Sequence, residues 1–237
     1  MMRSDQKLLG ILGGMGPVTT ARFLSSIYAF KRYQREQEMP GVVVYSDPSF
    51  PDRTSSFLSG DLEILLARTT SAIERLHGAG IDKAVLCCFT LHHIVEKLPP
   101  RLTDRLVLLT DVALEAVSVS GDTLLLCTNG SRELRVFERC AAWGKVKDQI
   151  QFPTRIDQDR VHALIYKLKS HFDPGKAFEE LSLLCKKYQV KSVAFGCTDL
   201  HLLSNGRGND KSAIAGISIV DPLMTIIERL HSGELFA

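Results

Sequence analysis

Two short apolar runs that begin 109 residues apart end in the same way, and this repeat constrains the fold more than any other feature. Lys83-Ala84-Val85-Leu86 runs into Cys87-Cys88-Phe89-Thr90, and Ser192-Val193-Ala194-Phe195 runs into Gly196-Cys197-Thr198-Asp199. Each run has the length and composition of a buried strand, and each delivers a thiol, with a threonine close behind, to the strand end. Each is also preceded by a strand-like stretch that empties into a small-residue loop. Lys7-Leu8-Leu9-Gly10-Ile11-Leu12 leads to Gly13-Gly14-Met15-Gly16-Pro17, and Thr123-Leu124-Leu125-Leu126-Cys127 leads to Thr128-Asn129-Gly130-Ser131. The separations from loop to cysteine are similar, 75 positions from Gly13 to Cys88 and 68 from Asn129 to Cys197. The chain reads as duplicated.

The segments between follow the same alternation. Gly41-Val42-Val43-Val44-Tyr45 and Leu106-Val107-Leu108-Leu109 are further strand candidates, and residues 61–78, 157–170 and 176–188 carry apolar side chains at helical spacing. Strands alternating with helices predict an α/β fold with mainly parallel sheets: two similar Rossmann-like domains related by pseudo-two-fold symmetry. Ligands of open α/β sheets sit at the carboxyl ends of the strands, where both cysteines fall, so the site is expected in a cleft between the domains. The last segment, Ile217-Ser218-Ile219-Val220-Asp221-Pro222 and its helix, is expected to cross back. The domains are then 1–98 with 217–237, and 99–216.

Composition narrows the partners. A formal net charge of +2 argues against nucleic acid and against an anionic membrane surface. No apolar run approaches the roughly 20 residues of a membrane span, and residues 1–7 enter the first strand without an apolar leader. Six cysteines without a C-x-x-C pair suit free thiols in a reducing compartment rather than a zinc site. The expectation is a cytoplasmic protein with no metal.

Locally, several groups keep two readings. The Gly13 loop, with Pro17 at the start of a helix, could expose N–H groups to an anion or form a tight βα turn. It lacks the G-x-G-x-x-G pattern, and no acidic residue of a dinucleotide site follows the next strand. Arg53, in Pro51-Asp52-Arg53-Thr54, could fork onto a carboxylate or be a solvated loop residue. His92 could stand near the Cys88 thiol or be structural.

Taken together, the glycine loop 10–17, Pro51-Asp52-Arg53-Thr54, the first cysteine segment, Gly196-Cys197-Thr198 and Ile219-Val220-Asp221-Pro222 resemble the aspartate/glutamate racemase family of cofactor-independent amino-acid racemases. The resemblance covers nearly the whole chain. It implies no cofactor, a small acidic amino acid as substrate, and a homodimer. The family's Cys-Asn-Thr-Ala-His motif falls on Cys88, Thr90 and His92, with Phe89 in place of the Asn and Leu91 in place of the Ala; Asp199 replaces a Glu after the second cysteine. By the same resemblance Arg53 holds the distal carboxylate, and Lys169 matches a family lysine better by spacing than Lys167 does.

Two thiols suit racemisation, which removes the Cα proton on one face and returns one on the other. A thiol with a pKa of roughly 8.5 needs only a nearby cation or helix N-terminus to become a useful base. Cys88 and Cys197 are therefore the expected alternating base and acid. Met15, Gly16, Thr90, Thr128 and Thr198 are expected to bind the substrate and stabilise the developing carbanion through N–H groups and hydroxyls. The Asn-to-Phe89 change leaves three outcomes: an acidic substrate with the lost contact supplied elsewhere, a different amino acid, or a binding protein without turnover.

Overall fold

The computed structural model of the chain describes residues 7–60, 62–170, 173–204, 213–214 and 216–237; the leader residues 1–6 and the expected helix start at Asp61 lie outside them. In the first half β1 (Leu8–Gly13) is followed by α1 (Pro17–Ala29), β2 (Gly41–Ser46), α2 (Arg53–Ser59), α3 (Glu63–Gly78), β3 (Lys83–Leu86), α4 (Pro100–Thr103), β4 (Leu106–Val107) and α5 (Leu109–Ser118). The second half repeats the plan with β5 (Thr123–Leu126), α6 (Asn129–Glu133), α7 (Trp143–Val146), β6 (Ile150–Gln151), α8 (Arg155–Lys169), α9 (Pro174–Tyr188), β7 (Ser192–Phe195), β8 (Ala213–Ile214), β9 (Ile217–Val220) and α10 (Pro222–Ser232).

The strands form two sheets, ordered β2-β1-β3-β4 and β6-β5-β7-β9-β8. All pairings are parallel except β8 with β9. Strand for strand the first four positions correspond, as a duplication requires. Buried parallel strands are covered on both faces, which is why these segments are continuous apolar runs rather than alternating ones. Three apolar clusters result. One covers the outer face of each sheet, and a central one joins Leu9, Phe23 and Ile27 of the first half to Leu125, Phe137 and Ile226 of the second.

One expectation is corrected here. Ile217–Val220 does not return to the first sheet; it pairs with β7, Val193 opposite Ile219. Leu106–Val107 pairs with β3, so the first sheet extends past residue 98. The reason is local: in each half the chain leaving the cysteine turn takes the open edge beside the strand it has just left. Only the helix crosses over, and α10 packs against α5 and α1. Among the described residues no helix is long and apolar enough to cross a membrane.

Helices α8 and α9 are pinned by Asp157, whose side chain is fully buried. It accepts hydrogen bonds from Lys187 Nζ at 2.5 Å and Tyr188 Oη at 2.6 Å. Those bonds from Lys187 and Tyr188 hold its pKa down at about 2. A depressed carboxylate contributes stability above its unfolded pKa and loses it as pH falls through the folded one. Asp157→Asn is therefore expected to lower the thermal midpoint at pH 7 and to narrow its gap from the parent between about pH 4 and pH 2. A constant gap across that range would count against the assignment.

Candidate active site

Both cysteine turns are built alike. Cys88 leaves β3 into a 3-10 turn over Thr90–Lys97, and Cys197 leaves β7 into another over Thr198–Leu203. The first of these turns draws residues 88–92 back on themselves, Leu91 N donating to the Cys88 carbonyl and His92 N to the Phe89 carbonyl. His92 clamps it. Its Nδ1 lies 3.0 Å from the Cys88 carbonyl and its Nε2 accepts from the Leu109 backbone N–H at 3.0 Å. The proton therefore sits on Nδ1, and burial pushes the ring's pKa down to about 4, so His92 is a neutral strut between the cysteine turn and α5.

Cys88 and Cys197 line one narrow cleft between the halves, with about 20 Å³ of space open to water centres. Met15, Arg53, Phe89 and Thr90 line it from the first half; Thr128, Lys169 and Thr198 line it from the second. Gly16 lies behind this wall. A Cβ there would stand 2.2 Å from Asp199 Oδ1, so glycine is what allows that carboxylate its place. Gly14 has φ 89°, and a Cβ on it would stand 2.2 Å from the Asp47 backbone N. The loop is thus a close-packed βα turn, and Met15 is the member that reaches the cavity.

Arg53 is buried and well held. Its Nη1 donates to the Pro51 carbonyl and its Nη2 to the Met15 carbonyl, each at 2.9 Å, while Nε has no hydrogen-bond partner. Burial works against its charge, but Cys88 and Asp52 beside it outweigh that and hold its pKa above the usual arginine value. Cys197 has charged neighbours of both signs. Its Sγ donates toward Asp199 Oδ2 at 3.7 Å. Burial first, and then the Asp199 carboxylate, push the thiol's pKa well up, with Lys169 opposing. Asp199 is itself raised by burial, against the pull of Lys169 Nζ at 3.8 Å and a 2.6 Å hydrogen bond from Thr19.

A hydroxyl cluster closes the opposite wall. Thr90 Oγ1 lies 2.8 Å from Ser131 Oγ and 3.4 Å from Thr128 Oγ1, and all three side chains are buried. Thr128 also caps α6, accepting from the Ser131 N–H. Such hydroxyls can turn their protons toward an incoming carboxylate. Phe89 is buried against Phe137, centroids 5.4 Å apart, and belongs to the central apolar cluster. The remaining cysteines are core thiols: burial raises the pKa of all four, Cys127 to about 12 and Cys140 and Cys185 to about 11. Among the described residues no group of three or more His, Cys, Asp or Glu could hold a metal ion.

Sequence reasoning did not single out Asp52, Thr54 and Tyr166 of the lining, or Ser131 behind it. Tyr166 carried a signal: with His162 and Lys169 it forms a polar stripe at helical spacing, off the Leu164, Ile165 and Leu168 face of α8.

Comparison with known proteins fits this geometry. The structure superposes on an aspartate racemase from Picrophilus torridus with a TM-score of 0.78, at 22% identity, over 97% of this chain and 99% of that one. An aspartate racemase homologue from Pyrococcus horikoshii gives a TM-score of 0.64 at 16% identity, over 96% and 98%. A glutamate racemase from Francisella tularensis in complex with D-glutamate gives 0.58 at 12% identity, over 98% and 84%. These likenesses show the fold, two pseudo-symmetric α/β domains. A family model described as Asp/Glu/Hydantoin racemase matches residues 12–230, and the chain belongs to that family.

Proposed function

We propose that this racemase acts on an acidic amino acid, aspartate or glutamate, without a cofactor, and that Cys88 and Cys197 exchange the α-proton from opposite faces. The observation that carries the reading is the cavity lined by both thiols, one beside a guanidinium and the other between a carboxylate and Lys169. A cation favours a thiolate and a carboxylate favours a thiol. Each sulfur is the base for one enantiomer and the acid for the other. The thiolate takes the Cα proton, the electron pair delocalises into the α-carboxylate, and the other thiol returns a proton to the far face. The Thr90, Thr128 and Thr198 hydroxyls stabilise the charge that develops on that carboxylate. Arg53 and Lys169 hold the distal carboxylate. The names of the structural neighbours, aspartate and glutamate racemases, favour the same substrates.

Phe89 supports a second reading, a racemase for a different amino acid, because an apolar ring stands where the family has an amide. Incubation with L-aspartate or L-glutamate in deuterium oxide, without pyridoxal phosphate, separates the two. The first reading expects deuterium at Cα together with decay of optical rotation. Binding of neither acid and exchange of neither would favour the second.

A further inference from the structure

Nine of the thirteen residues lining the cavity are buried; the four that are half-exposed are Asp52, Thr54, Tyr166 and Lys169, and they mark its mouth. A hydrogen bond spans that mouth. Tyr166 Oη, on α8 of the second half, donates to Asp52 Oδ2 of the first half at 2.9 Å. Asp52 is no loose acceptor, since its other oxygen caps α2 by accepting from Ser55 N at 2.9 Å. Each end of the bond is therefore fixed to a helix. Each helix also carries one of the two cations: Arg53 follows Asp52, and Lys169 lies one turn beyond Tyr166 with its Nζ 4.2 Å from the centre of the tyrosine ring. His162, 4.5 Å from the same ring, closes its other side and accepts from the Asn129 N–H.

We infer that Tyr166 is a specificity-determining strut: its bond to Asp52 fixes the span between the Arg53 and Lys169 helices and so limits the length of the acid side chain that fits. The inference rests on the acidic-substrate reading above. A single methylene in a fitted pocket commands roughly 10- to 200-fold in selectivity. Without the strut α2, still packed on α6, is held less closely to α8, and the longer diacid gains on the shorter.

The test uses dicarboxylates that cannot be racemised. Succinate and glutarate are titrated calorimetrically into the parent protein, Tyr166→Phe and Tyr166→Leu. Tyr166→Phe keeps the ring over Lys169 and loses only the hydroxyl. It is expected to shift the ratio of the two dissociation constants toward glutarate by about tenfold, with the thermal midpoint little changed. Tyr166→Leu is expected to show the same shift and, with Lys169 loosened, weaker binding of both acids. An unchanged ratio in both variants, with both acids still bound by the parent, overturns the strut alone. Failure of the parent to bind either acid overturns the acidic-substrate reading and the strut with it.

Discussion

Cys88→Ala and Cys197→Ala are each expected to lower the racemisation kcat by about 10²- to 10⁴-fold in both directions, the range a positioned acid or base supplies. Neither change should unfold the protein, because each removes one sulfur at the edge of the cleft and leaves the β-carbon in place. The more telling readout is exchange without inversion. A variant that keeps one thiolate can still remove a proton from the enantiomer facing it and return a deuteron to the same face. Slow wash-in should therefore persist with one enantiomer in Cys88→Ala and with the opposite one in Cys197→Ala. Loss of exchange with the same enantiomer in both variants would break the two-face assignment, and undiminished racemisation by either would end it.

The largest expected loss of stability is at Asp221. Its buried carboxylate meets His201 Nδ1 at 2.6 Å and Ser204 Oγ at 2.5 Å, and caps α10 through the Leu223 N–H at 3.0 Å. Burial opposes its charge, yet His201 and Ser204 prevail and hold the pKa below the usual aspartate value. His201 in turn stands 3.2 Å from Ser26 of α1, so the network ties the turn after Cys197 to the first half. Asp221→Ala leaves the buried His201 and Ser204 groups without their acceptor and strips a helix cap, at a cost of about 3–5 kcal/mol. For a chain of this length each kcal/mol moves the midpoint about 2–4 °C, so a fall of about 6–20 °C is expected. Asp221→Asn, which keeps the shape and an acceptor for the cap, should lose less. A shift below about 2 °C in Asp221→Ala would show that the network contributes little.

The duplication, the parallel α/β plan and the two strand-end cysteines were readable because each rests on local pattern: apolar runs of strand length, small-residue loops, and a thiol with a threonine close behind. The side on which Ile217–Val220 pairs was not, since an apolar strand is equally suited to either sheet and only the path of the chain decides. The Tyr166–Asp52 bond joins residues 114 positions apart, and nothing in either neighbourhood points to the other. Phe89 was legible as a substitution but not in its direction; its burial against Phe137 follows from the central apolar cluster, to which both halves contribute.

The unequal electrostatic neighbours of the two sulfurs have a thermodynamic limit. Mirror-image solutes have identical standard free energies in water, so the reaction comes to rest at equal amounts whatever surrounds either thiol. It follows that kcat/KM must be the same for both hands of the substrate. A guanidinium near one sulfur and a carboxylate near the other can only redistribute that common quotient, giving one enantiomer tighter saturation with slower turnover and its mirror image the reverse.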